Sequence, residues 1–229
     1  MSKFLAGLKN EEKPAVVSSG WAMKGNEGAL RMAKRAAKQA TEGGYTPEWW
    51  LRAGEAGIVR FLDEEPVVTI LEHSIKRIKN GKVRYDGYTC VAGNKKTKEE
   101  RQAVCPLCRA DNWSPFRAIY NVIDRRVWKN KKGEEQTNQV RALKANLNLF
   151  HQLKEYAEEG GLTTRDIKIK RIESSGKGAQ YTVIPKEPTS LSKEDKALKR
   201  IDIEVAYAPK SVERLAALAG VSENNDDDM

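Results

Sequence analysis

The chain has 229 residues, a net charge of +9 and 32% charged residues, which allows one large polar domain with appendages. No apolar run is long enough to span a bilayer, and the opening MSKFLAGLKNEEKPAVV lacks the apolar stretch and small-residue cleavage site of a secretory signal. Three cysteines are too few, and odd in number, for a disulfide framework, so the reading is a soluble protein of a reducing compartment with no membrane partner.

Residues 1–44 read as a flexible basic N-terminal segment with a short helix over 28–40, where Ala, Leu, Met, Lys and Arg favour helix. From Trp49 the pattern is strand-like. WWLRAGEAGIVRFL suggests two strands with a bend near Gly54 and Gly57. Asn80 and Gly81 are the strongest hairpin signal in the chain, because both tolerate positive φ; they join strands over 67–79 and 82–90. Residues 116–124 (FRAIYNVID) form another strand, and 129–135 read as a polar loop. One helix is expected over 139–159, with Leu143, Leu147, Phe150, Leu153 and Ala157 along one side and two glycines as its stop. A second hairpin turns around 174–178, and a last helix runs over 209–220.

Short strands with one inserted helix fit a small barrel better than a sandwich or a parallel sheet. The expected fold is mainly β with inserted helices. The core spans 45–187 and includes a subdomain over about 66–115. Residues 188–220 read as a C-terminal linker and short helix, and 221–229 as an acidic disordered tail.

Cys105, Pro106, Leu107 and Cys108 form a CxxC knuckle, and Cys90 ends a strand before it, with fourteen residues between Cys90 and Cys105. His73 lies across the hairpin from Cys90. One His and three Cys make the closed tetrahedral set of a single structural Zn²⁺. The enclosed loop, VAGNKKTKEERQAV, is too polar to build a core, so a metal there replaces missing burial. His151 falls inside the expected helix and is read as a helix residue. A catalytic zinc needs an open position and a carboxylate such as the HxE of deaminases, and the sequence lacks that pattern.

Between Lys76 and Lys144 there are 18 Lys or Arg against 7 Asp or Glu, whereas the last nine residues carry four acids and no base. A basic middle points to a polyanion. Aromatics are interleaved with cations there, including Trp113, which suits phosphate contacts beside stacked bases of single-stranded DNA. The favoured DNA-binding rings are Tyr85, Tyr88, Tyr120 and Trp128. The favoured cations are Lys76, Arg77, Lys82, Arg84, Arg117, Arg125 and Arg126. Trp49, Trp50, Phe61 and Phe150 are assigned to packing.

Residues 57–62 (GIVRFL), the Ile70, Leu71, His73 step, Asn80-Gly81-Lys82, the Tyr-x-x-Tyr-Thr-Cys run ending at Cys90, and the CPLC knuckle together resemble the single-stranded-DNA-binding proteins of tailed bacteriophages, typified by the T-even helix-destabilising protein. The resemblance is dense over 48–128 and looser to about 187. It implies an OB-fold core with a zinc-ribbon-like subdomain ligated by His73, Cys90, Cys105 and Cys108. It also implies sequence-nonspecific coating of single-stranded DNA during phage replication, recombination or repair in the host bacterial cytoplasm. The acidic tail resembles that family's, which is thought to recruit phage replication proteins. The loop between Cys90 and Cys105 is longer and more basic than the family's. The competing reading is a zinc-ribbon RNA-binding or transcription factor. An enzyme is not expected: a nuclease needs clustered carboxylates, and Asp63 to Glu65 or Asp202 with Glu204 read as solvated surface.

Overall fold

The computed structural model describes residues 46–79, 81–129, 133–172 and 178–223. The helix expected over 28–40 and the tip of the tail therefore lie outside the described residues. The strands are β1 (Glu48–Trp49), β2 (Ala56–Phe61), β3 (Val68–Lys79), β4 (Lys82–Thr89), β5 (Phe116–Asp124), β6 (Trp128–Lys129), β7 (Glu135–Gln136), β8 (Gln139–Ala145), β9 (Arg165–Ile172) and β10 (Gln180–Pro188). The helices are α1 (Lys98–Val104), α2 (Pro106–Arg109), α3 (Leu147–Gly160), α4 (Lys193–Ala197), α5 (Ile203–Ala206) and α6 (Val212–Glu223).

The main sheet runs β1-β8-β5-β2-β9-β10, and it is mixed, because β1 lies parallel to β8 while its other pairs are antiparallel. Among the described residues the order does not close on itself; β1 and β10 remain its two ends. One edge of β5 pairs with β8. The other edge is shared, with Val59, Arg60 and Phe61 of β2 on its C-terminal end and Val68 to Leu71 of β3 on its N-terminal end. β2 and β3 thus lie along one line, broken by an acidic turn that stays tied through Leu62 N–H to Asn121 O and Val67 N–H to Ile119 O.

β5 is buried on both faces from Ala118 to Asp124, as a central strand must be. Its alternation divides the core in two. Ala118, Tyr120 and Val122 join Trp49, Phe61, Leu143 and Ile169 under α3, which adds Leu149 and Leu153. Ile119 faces the other way, onto Ile70, Ala142, Ile203 and Tyr207. The segment read as a C-terminal linker is therefore a packed layer: α5 closes the second face, and Tyr207 donates through its hydroxyl to Glu48.

The helix expected over 139–159 is two elements. Residues 139–145 are β8, and the helix begins only at Leu147, where the Asn146 side chain caps it by accepting from Leu149 N–H. β3 runs on past the sheet and pairs with β4 down to Lys79 opposite Lys82, with Gly81 at φ +68° in the expected Asn-Gly turn. The second hairpin pairs Ile172 with Gln180; residues 173–177 of its turn lie outside the described set. No helix among the described residues is long and apolar enough to cross a membrane.

Candidate metal centre and adjoining groove

Two local devices assemble the cluster. The β3–β4 hairpin carries His73, and Cys90 follows β4, its N–H bonded to Leu71 O. The polar loop folds into α1 through a capping box, with Glu100 N–H donating to Thr97 Oγ1 and Thr97 N–H to the Glu100 carboxylate. α1 ends on Cys105, whose N–H donates to Arg101 O. Pro106 then starts α2, with its fixed φ suited to a first helical position, and α2 carries Cys108 back beside Cys105.

All four side chains are buried, and their ligating atoms lie within 4.8 Å of one another. His73 Nε2 is 3.4 Å from Cys105 Sγ and 3.6 Å from Cys108 Sγ, and Cys90 Sγ is 3.5 Å from Cys108 Sγ. A disulfide needs about 2.05 Å, so these sulfurs are not bonded. A tetrahedral ion with thiolates at about 2.3 Å and an imidazole nitrogen at about 2.0 Å spaces its ligand atoms roughly 3.6–3.8 Å apart. These three separations lie close to that spacing, and the cluster can hold one metal ion.

The outer contacts agree. His73 Nδ1 is 3.0 Å from the Asn112 carbonyl oxygen. A carbonyl can only accept, so Nδ1 carries the proton and Nε2 is left as the ligand. The Cys105 thiol is pushed down to about 3 by its contacts with Cys90 and His73. The Cys105 contact and burial push Cys90 up, and burial pushes Cys108 up. A bound cation favours ionisation of all three thiols. Four protein donors leave no open position, so the arrangement suits stability rather than catalysis. Leu107, Leu215 and Leu218 sheathe the cluster, which places α6 directly on it.

A groove of about 1100 Å³ runs beside this module. Asp111, Asn112, Trp113 and Arg101 line it from the metal module; Trp50, Arg117, Lys144, Leu147, Arg171 and Tyr181 line it from the sheet and α3. Trp50 is 58% exposed and Trp113 is 77% exposed, although both are large apolar rings. Five cations line the groove against three carboxylates. Lys144 is the least available of them. Burial alone would lower its pKa, but Glu72 and Glu48 beside it raise it.

The eleven residues expected at DNA do not gather in one place. Arg117 lines the groove, held by Glu72 at 3.2 Å. Lys76, Lys82, Arg84 and Tyr85 are exposed on the β3–β4 hairpin. Arg77 pairs with Asp86 and donates to the Tyr88 hydroxyl, while Tyr88 packs against the metal module. Tyr120 is a correction: at 1% exposure it is a core ring, because its side of β5 faces α3 and Phe61. Arg125 binds Asp195 at 2.7 Å, and Arg126 binds Asp124 at 2.8 Å. Trp128 is half-buried under Arg141, 4.8 Å from the ring centre. Trp50 is the opposite correction, a ring assigned to packing that stands exposed in the groove. The alternation of a strand carried that signal, since a buried Trp49 turns its neighbour outward. Arg101, Arg171 and Tyr181 had no local signal.

The fold and the site together define a mainly β protein with a buried His/Cys₃ cluster that can hold one metal ion. Comparison with protein-family models, curated proteins and solved structures finds no match.

Proposed function

We propose that the cluster holds one structural Zn²⁺ and that the groove beside it binds single-stranded DNA without sequence preference. One observation carries this reading: Trp50 and Trp113 stand exposed in a groove that also holds Arg101, Arg117 and Arg171. Flat rings offer a stacking surface to any base, each worth about 1–3 kcal/mol, and the guanidinium groups meet phosphates. Zinc is the ion favoured by a closed set of three thiolates and one imidazole. In this reading the sheet corresponds to a partly open OB-fold-like barrel, and the chain coats DNA as the phage proteins it resembles do, acting by binding and not by catalysis. The acidic end is then a docking segment for replication proteins.

The test is fluorescence titration with oligo-dT, oligo-rU and duplex DNA at several salt concentrations. Tight, salt-sensitive binding to oligo-dT over the other two is expected. Equal affinity for duplex sinks the stacking reading, and preference for oligo-rU favours the zinc-ribbon RNA-binding alternative. Elemental analysis tests the ion, with one zinc per chain expected.

A further inference from the structure

Trp113 is the most exposed large ring among the described residues, yet the two residues before it are fastened to the metal module. The fastening begins at the knuckle. Asp111 N–H bonds to Cys108 O at 3.1 Å, and Asn112 N–H bonds to Leu107 O at 3.0 Å. Asp111 takes the left-handed conformation, φ 52°, and its carboxylate receives Lys98 at 2.9 Å and Gln102 at 3.1 Å. Asn112 then spans to β3 twice. Its carbonyl accepts from His73 Nδ1 at 3.0 Å, and its side-chain amide donates to Ser74 O at 3.2 Å. Trp113 is the next residue, and it lines the groove.

We infer that Asn112 is a positioning residue that converts occupancy of the metal cluster into placement of Trp113 in the groove. The inference rests on the DNA-binding reading above. An ion on Nε2 keeps the proton on Nδ1, and a ligated imidazole is a stronger donor, so the bond to Asn112 O is tightened by the ion. Cys108, a ligand of the same ion, holds the other end of the short turn. The chain leading into Trp113 is therefore anchored while the faces of its ring stay open for a base. The same strand serves the groove a second time: Glu72, next to His73, holds Arg117 and Lys144.

The test uses full-length, metal-loaded protein labelled with 5-fluorotryptophan. The ¹⁹F resonance of Trp113 is assigned by its loss in Trp113→Phe. Removing the ion from wild-type protein should shift or broaden the Trp113 line, because the bond from His73 to the Asn112 backbone carbonyl slackens. Asn112→Ala keeps that carbonyl but loses the side-chain bond to Ser74 O, so it should keep one ion per chain, shift or broaden the Trp113 line, and weaken oligo-dT binding by about fivefold, part of one stacking contribution. In a Trp113→Ala background, Asn112→Ala should cause no further loss, because the two act through one ring. If Asn112→Ala loses the ion, Asn112→Asp is read in the same way, since it retains an acceptor toward His73 and lacks the donor to Ser74. An unshifted Trp113 line, or a loss of affinity that persists without Trp113, overturns the inference and leaves DNA binding standing. If wild-type protein fails to bind oligo-dT, the DNA-binding reading falls. The ¹⁹F line then still decides the placement, and an identical line with and without the ion overturns it.

Discussion

Tyr120 and Phe61 meet edge to face, ring centroids 5.2 Å apart and planes at 89°, in the core between the sheet and α3. Burial also pushes the Tyr120 phenol up, so it stays neutral at any physiological pH. Tyr120→Ala should cost about 3–5 kcal/mol by emptying that space. Urea unfolding measures the loss, and oligo-dT titration of the protein that remains folded should match wild type. A variant of normal stability and weakened DNA binding would return Tyr120 to the groove.

That pair shows where sequence reading succeeds and where it stops. Alternation along FRAIYNVID places Phe116, Ala118, Tyr120 and Val122 on one face, and the structure agrees. Alternation does not say which face meets solvent, and on β5 neither does. The Asn-Gly turn and the ligand set were legible because both depend on local chemistry: positive φ at Gly81, and sulfur and imidazole donors at chelating spacings. Leu143 misled because it falls in helical phase with Leu147 and Phe150, although Asn146 between them is a capping residue. The arginines misled for a different reason. Arg125 is neutralised by Asp195, seventy positions away, and no local pattern announces such a partner.

The ion should be a large part of the stability of the hairpin, the knuckle and α6 together. Leu215 and Leu218 pack on Leu107 and the ligand cysteines, so loss of the site uncovers apolar surface. Cys105→Ser is expected to lower the metal content below one per chain. A loss of about 3–5 kcal/mol would lower the melting temperature by roughly 10 °C in a chain of this size. Calorimetry with parallel elemental analysis checks it; unchanged melting would mean that the ion does not support the fold.

The two kinds of groove cation should separate in salt titrations. Arg101 makes no ion pair among the described residues, whereas Lys144 sits between Glu48 and Glu72. Arg101→Ala should therefore reduce the salt slope of oligo-dT binding by about 0.7, the loss of one phosphate contact. Lys144→Met should leave the slope alone and lower stability, because it removes the buried ammonium that two carboxylates share. The opposite pattern would place Lys144 on the phosphates and Arg101 off them.

Arg125 donates to both oxygens of Asp195, at 2.8 and 2.7 Å, and holds its carboxyl below the ordinary aspartate value of 3.8. The folded-state value lies under the unfolded one, so the pair stabilises fully above the ordinary range. That stability is lost as pH falls through the folded value, and nothing changes on the alkaline side. Asp195→Asn should cost roughly 1–3 kcal/mol at neutral pH, as loss of a charged hydrogen-bonded pair does. Below about pH 4 its stability should fall less steeply than that of wild type. Urea unfolding across pH 2.5 to 7, about the range in which carboxylates titrate, measures both curves; parallel curves would show that the pair is not linked to folding.

The last prediction concerns where the acidic end may be cut. α6 extends to Glu223 and is held by Leu215 and Leu218 on the metal module, so a truncation that starts at Val221 clips the helix itself. Removing residues 224–229 instead takes away Asp226, Asp227 and Asp228 and leaves the helix whole. Those charges follow directly on an element docked against the module that lines the groove, and a tether that short gives them a high effective concentration there. A tethered anion competes with phosphates for the same cations, and salt screens the competition. The protein lacking residues 224–229 should bind oligo-dT several-fold more tightly than full-length protein at low salt, with the gap closing as salt rises, and should melt at the same temperature. Equal affinity at low salt would assign the tail to partner docking or solubility alone. A lowered melting temperature would instead show that residues beyond Glu223 help to hold α6 on the metal module.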